Sequence, residues 1–273
     1  MSSALTIPAQ FARTAEGHLA AQVDDLGWLA IPVANGLRMA SAWRLSKPID
    51  TWVMTDFHGA DGFVADETAF RAHVEDVAQH KRELAALPRP ETGMRVGTPW
   101  GTSQQSYRYA DGILCHSTAG HGGFFLSTER NALVDAQWRN ADGWYEEDAE
   151  WAKVAFTFPD RFTTRERRCA AETLRHDYPD VWEQMHGVTL APGESRVKDE
   201  RQFRADHAAD WVVVAAIRSD RHPGFVECVA KIGGNRALAE ERLYLVPGGE
   251  YHVGRFGFVI DEGSHLRLDR RAA

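Results

Sequence analysis

No run of eighteen apolar residues occurs in the 273-residue chain, so no membrane-spanning helix is expected. Cysteine is scarce, with Cys115, Cys169 and Cys228 far apart and no C-x-x-C pair. That argues against a disulfide framework and a paired-cysteine zinc knuckle, and it suits a reducing, cytoplasmic location. The opening MSSALTIPAQFARTAEG lacks a basic start followed by an apolar stretch, so no secretory leader is expected. Positive charge is in deficit too. With 39 acidic and 31 basic residues the formal net charge is −8, which disfavours direct nucleic-acid binding. The two signs are interspersed as on solvated surface, not gathered into an acidic face that imitates DNA.

Several catalytic signatures are missing. No G-x-S-x-G elbow accompanies HGGF, so an esterase oxyanion loop is not supported there. There is no H-E-x-x-H, and no Walker or dinucleotide glycine pattern follows an expected strand. GGNRALAE, residues 233–240, is expected to make a turn. Internal repeats and heptads are lacking, which places a filament or scaffold role last.

What is present reads as a globular α+β protein of antiparallel sheets with a few packed helices, in three parts. In the first, residues 1–90, the runs HLAAQV, GWLAIPVA, LRMASAWRL and TWVMTDF suggest an antiparallel meander. A helix should follow from Asp66, as N-cap, to about Leu87, because Phe70, Val74, Val77 and Leu84 recur at helical spacing. LPRPETG then stops it and reads as a linker. In the second part, residues 91–190, QSYRYADGILCHS and GFFLS should be strands flanking a histidine turn. Helices are expected near Tyr145 and near Thr163, where TTRE offers a capping box from Thr163 to Glu166. In the third, residues 191–273, WVVVAAIRS, FVECVAKIGG, RLYLVPGGEY and VGRFGFVID read as another antiparallel sheet; all three parts could pack as one unit.

Two stretches of the central part carry candidate chemistry. A helix starting near Tyr145 would put Trp151, Val154, Ala155 and Phe158 on one apolar stripe with Glu147 near its middle. Glu146 and Glu150 would face water, and Asp148 would sit at the edge. A carboxylate on an apolar face suits acid/base work, whereas acids in a first turn also serve simply as caps, so both readings stand for Glu147. In STAGHGGFFLS, Gly120, Gly122 and Gly123 leave His121 bare. Such glycines permit positive φ or close approach, and successive amides there could cradle an anion. The alternative is an ordinary Gly-rich hairpin turn with an incidental histidine. Cys115 beside His116 reads as a packed structural thiol. Trp100, in GTPWGTS, either walls a cleft or packs beneath its loop. Arg165, with Arg161, Arg167 and Arg168 near a helix N-terminus, calls for an anionic ligand, an acidic neighbour such as YEED, or plain solvation.

TPWG, STAGHGG, WYEED and LYLVPGGEY together resemble a family of uncharacterised proteins from alphaproteobacteria and their plasmids and phages. Thr98–Gly101, Thr118–Gly123 and Tyr145–Trp151 carry the central pattern. Ala149 stands where relatives are associated with cysteine, so a cysteine mechanism at that position is not expected. The resemblance implies no activity; it implies an accessory role beside mobile elements, in DNA transfer or in blunting host defence.

The functional expectation is a hydrolase-like acid/base enzyme. Glu147 would be the acid or base and His121 its proton-transfer partner. Gly120, Gly122 and Gly123 would supply the anion cradle, with Trp100 and Arg165 at the substrate, while Tyr145, Asp148 and Thr118 orient it. No cofactor is expected. A divalent metal is the minor alternative, because His116, His121, His176 and His186 have no supporting spacing toward Glu147 or Asp148. The competing expectation is a non-catalytic protein that binds a host or mobile-element partner; membrane association is not expected.

Overall fold

The computed structural model describes residues 7–268; residues 1–6, which begin the stretch read for a leader, and residues 269–273 lie outside the described residues. The chain is α+β with antiparallel sheets, and it divides into two compact units, Met1–Leu174 and Arg175–Ala273.

The first unit opens with a five-stranded meander: β1 (Ala9–Arg13), β2 (Leu19–Val23), β3 (Leu26–Val33), β4 (Gly36–Trp43) and β5 (Gly59–Val64), hydrogen-bonded in that order. Strand alternation splits its apolar residues between two faces. Ala21, Val23, Trp28, Ala30 and Met39 pack against Phe70, Val74 and Val77 of helix α1 (Glu67–Ala86), at the spacing read from the sequence. Asp66 caps that helix, accepting from the Ala69 amide at 2.8 Å. The other face, with Ala20, Leu29, Ile31 and Ala40, is covered by Trp52 and Phe57. Here TWVMTDF departs from the strand expectation. It forms short 3-10 turns at Ile49–Thr51 and Met54–Asp56, and the next strand is β5. The reason is side-chain burial: Trp52 is fully buried, its Nε1 donates to the Lys47 carbonyl at 3.0 Å, and its ring meets Phe57 edge-on.

LPRPETG ends α1 but does not run free. The Arg108 amide donates to the Pro90 carbonyl at 3.0 Å, the Thr92 amide donates to the Ser106 carbonyl at 2.8 Å, and Glu91 bridges Tyr107. After a small ribbon, β6 (Gly97–Thr98) and β7 (Gly101–Thr102), comes a four-stranded sheet. Its strands are β8 (Gln105–Ala110), β9 (Ile113–Ser117), β10 (Gly122–Leu126) and β11 (Trp144–Glu146), in the spatial order β11-β10-β9-β8. Helix α2 (Thr128–Asn131) lies between β10 and β11, and α3 (Trp151–Thr157) and α4 (Thr164–Asp177) follow. The helix expected from Tyr145 therefore begins six residues later, at Trp151. Gly143, at φ 75°, turns the chain, and the aromatic pair Trp144–Tyr145 joins the sheet opposite Phe125 and Phe124.

The Thr163–Glu166 capping box is present: the Thr163 amide donates to Glu166 Oε2 at 2.7 Å, and the Glu166 amide donates to Thr163 Oγ1 at 3.1 Å. The basic cluster around it is balanced by α1 rather than by YEED. Arg168 donates twice to Asp76, at 3.0 and 2.8 Å, and Glu83 accepts from Thr164.

The second unit contains α5 (Pro179–His186), α6 (Arg196–Asp206) and an antiparallel sheet of β12 (Trp211–Arg218), β13 (Phe225–Ile232), β14 (Arg242–Pro247) and β15 (Leu266–Leu268). Its core gathers Trp211, Cys228, Ala230, Tyr244, Val246 and Ile260. VGRFGFVID is not a strand; isolated bridges tie Val259 to Val212 and Gly254 to Gly257. Residues 233–240 form turns, with Gly233 and Gly234 both at positive φ. Among the described residues no helix is long and apolar enough to cross a membrane.

Candidate functional site

The register of the central sheet decides which groups can meet. Ser106, His116, Gly123 and Glu146 stand opposite one another across β8, β9, β10 and β11. One residue along each strand, Tyr107, Cys115, Phe124 and Tyr145 form the opposite face. Glu146 and Glu147 therefore diverge. Glu147 is exposed, its amide donates to the Gly122 carbonyl at 3.0 Å, and its carboxylate lies over Gly122. Glu146 is the acid that reaches the histidine turn, with Oε1 3.5 Å from Nδ1 of His121.

The turn itself is short and tied by one residue. The Thr118 amide and Oγ1 both donate to the His121 carbonyl at 2.7 Å, and the His121 amide donates to Thr118 Oγ1 at 3.2 Å. Thr118 thus holds the backbone that carries the imidazole. Asp148 completes the group: one ligand atom from each of His121, Glu146 and Asp148 lies within 4.8 Å of the other two. This nitrogen-and-oxygen set could hold a divalent cation with coordination positions left open.

Glu146 is the unusual member. Its Oε2 accepts from the Asp148 amide at 2.6 Å, but Oε1 is buried and has no hydrogen-bond partner. A carboxylate oxygen in that state is electrostatically costly. It is also held firmly. The Glu146 amide donates to Glu150 Oε2 at 3.2 Å, and Glu150 is fixed by Asn140 at 2.8 Å and by buried Lys153 at 2.8 Å. Burial pushes the Glu150 carboxyl up, yet these donors outweigh it and hold the group below its usual value.

Packing explains two of the glycines, Gly122 and Gly123, whereas Gly120 has open space around it. None of Gly120, Gly122 and Gly123 has positive φ. Gly122 and Gly123 lie in β10, between two paired strands, so their amides point into the sheet rather than form a concave cradle. Trp100 fills the space above Gly123: a Cβ there would lie 2.4 Å from its Cη2. Half-buried at the tip of the β6–β7 ribbon, Trp100 meets Trp144 edge-on with centroids 5.8 Å apart.

Other sequence candidates fall elsewhere. Tyr145 is fully buried, and its hydroxyl donates to Asn131 Oδ1 at 2.5 Å, so it braces the loop after α2 and does not reach the cluster. Arg165 faces Asp76 at 3.7 Å and lines a separate cleft. His116 is buried, with Nδ1 2.8 Å from Ser106 Oγ, and burial pushes its pKa down. The Ser106 hydroxyl donates to the Met94 carbonyl at 2.9 Å and is fully buried, so this pair is structural. Burial pushes the Cys115 thiol up to about 11, which leaves it un-ionised and unreactive near neutrality. The residue that sequence reasoning passed over is Glu146. Its signal was the aromatic pair after a turn glycine, which marks a strand and gives Glu146 a period-two position.

The fold and cluster define an antiparallel α+β protein with an open histidine–carboxylate group on its central sheet. Residues 93–208 match the family model described as a domain of unknown function, DUF7007, and all three central motifs fall within that segment. No curated protein and no solved structure matches the chain.

Proposed function

We propose that the central segment is a hydrolase-like acid/base centre of a mobile-element accessory protein, with Glu146 rather than Glu147 as the carboxylate that works with His121. The observation that carries this reading is the buried, unpartnered Oε1 of Glu146, held 3.5 Å from the imidazole. Such an acceptor can take a proton from water once the exposed His121 side chain moves to admit it. The hydroxide so formed attacks the substrate's electrophilic centre, the bond to the leaving group breaks, and the His121 imidazolium gives that group its proton. The proton on Glu146 then crosses to His121, which restores both groups. Exposure of His121, at 58%, gives substrate access from solvent. The motif resemblance supports the mobile-element context.

Glu146→Gln and His121→Ala should each lower turnover of activated ester and phosphoester substrates by about a hundredfold or more. Glu146→Gln should at the same time leave the melting temperature close to wild type, because Oε1 makes no hydrogen bond that the substitution would break. Glu147→Gln should leave both unchanged. Assays after chelation, and again with Mn²⁺ or Zn²⁺ added, distinguish proton chemistry alone from a metal-supported form. Turnover within threefold of wild type in Glu146→Gln would overturn the assignment.

A second reading, binding of a host-defence or DNA-processing protein, is supported by the exposed apolar side chains Ile217, Val253 and Leu266 of the second unit. Under that reading Glu146→Gln still captures the partner stoichiometrically.

A further inference from the structure

The first unit also holds a cleft of about 470 Å³ between the five-stranded sheet, α1 and the first turn of α4. That volume lies within the range of small-molecule sites. Its floor and rim are aromatic. Trp28 and Trp43 both line it, Trp28 buried and Trp43 69% exposed. Both residues come from paired strands, so their backbone positions are fixed by the sheet. An indole that open, beside an apolar floor completed by Leu26, Val77 and Leu84, offers a stacking surface to a flat ring.

The polar groups divide between donors and one acceptor. Among the described residues Arg165 makes only the 3.7 Å ion pair with Asp76 and no hydrogen bond, because Asp76 is already held bidentately by Arg168. Its guanidinium is therefore free to grip an anion. His80 stands beside it, Nδ1 engaged by Thr163 at 2.8 Å, and Lys81 also lines the wall while paired to Asp24 and Asp25. The acceptor is Asp61. Its Oδ2 receives the Trp28 indole N–H at 2.6 Å and lies 3.2 Å from His73 Nε2.

We infer that this cleft binds a small planar heteroaromatic molecule that carries an amino or ring N–H donor and one phosphate or carboxylate. The ring stacks on Trp43, the donor meets Asp61, and the anionic group meets Arg165. The site is separate from the His121 cluster and does not depend on the function proposed for it.

Tryptophan fluorescence and ligand-observed NMR on the full chain test this, with adenosine monophosphate and 2-aminopyridine-3-carboxylate as probes; adenosine, 2-aminopyridine and inorganic phosphate serve as part-ligands. The expected result is saturable binding of at least one anionic probe, with its part-ligands at least tenfold weaker. Trp43→Ala and Arg165→Ala should each weaken that probe at least tenfold. Phosphate preference over carboxylate is read from which of the two probes saturates. Trp43 is largely open and the Arg165 side chain is 35% exposed, and unchanged melting of each variant confirms that the fold is retained; Trp43→Phe should keep most of the affinity. Absence of saturable binding by either probe up to concentrations on the order of 10 mM, or equal binding in the folded variants, overturns the inference.

Discussion

Alanine at Arg89 is expected to destabilise the first unit by about 3 kcal/mol, the cost of stranding one member of a mostly buried ion pair. Arg89 leaves the end of α1 in LPRPETG and reaches α4. Its Nη1 donates to Glu166 Oε1 at 2.8 Å, and its Nη2 donates to Glu166 Oε2 at 2.7 Å and to the Arg161 carbonyl at 2.8 Å. The guanidinium lies over the Tyr109 ring at 4.1 Å. Removing it leaves Glu166 in an apolar setting with the Thr163 amide as its remaining strong donor. For a unit of this length the melting temperature should fall by about 6–12 °C. Arg89→Lys should fall between, since lysine keeps the charge but loses the fork and the stacking.

The pH dependence has a fixed sign. Burial raises the Glu166 pKa, but the Arg89 and Thr163 donors outweigh it, so the folded value lies below the usual 4.5. A carboxyl depressed on folding stabilises above its unfolded pKa, and that contribution disappears as pH falls through the folded value. The gap between wild type and Arg89→Ala should therefore be full near neutrality and narrow on acidification below about 4.5. A melting temperature within 2 °C of wild type, or a gap independent of pH, would show that the clamp contributes little.

That clamp was invisible in the sequence, and the reason bears on what was visible. Helix α1 declared itself because Phe70, Val74 and Val77 follow a single period and Asp66 caps them, so local chemistry and packing agree. Thr163 and Glu166 were legible as a box for the same reason. Arg89 was not, since its partner is 77 residues away and nothing local marks the pairing. Trp52 and Phe57 misled in another way: apolar residues that plug a sheet face look like strand residues when only composition is read. The central site shows the sharpest form of the problem. His121 and Asp148 were both singled out, one as Glu147's partner and the other to orient substrate, but residues 144–157 contain a strand, a turn and a helix in succession, and that arrangement sets His121 beside Glu146 and Asp148. One helical period laid across all three turned Glu147 inward and Glu146 to water, whereas in the strand Glu146 faces the histidine turn and Glu147 is exposed, because successive strand residues lie on opposite faces.

The second large effect is expected at Gly123, and it asks what the bare surroundings of His121 are for. A Cβ on Gly123 would lie 2.3 Å from the Tyr145 carbonyl oxygen and 2.4 Å from Trp100 Cη2. Trp100 can swing aside, but the Tyr145 carbonyl belongs to β11, and moving it breaks a ladder of three residue pairs. Gly123→Ala should therefore cost about 3 kcal/mol, at the upper end for overpacking. At Gly120 no atom lies within 4 Å of the added carbon, so Gly120→Ala should stay within about 0.5 kcal/mol of wild type. Gly122→Ala should fall between, meeting the movable Glu147 carboxylate at 2.5 Å but also the His116 carbonyl at 2.8 Å. Adding Trp100→Ala to Gly123→Ala should recover only the side-chain share of the loss, and the double-mutant cycle measures that share. Because Glu146 is the residue paired with Gly123, turnover should fall with stability at Gly123 and stay unchanged at Gly120. Equal melting for the two alanine variants would mean that β10 and β11 yield freely, and a Glu146 held so loosely could not keep an unpartnered oxygen beside His121.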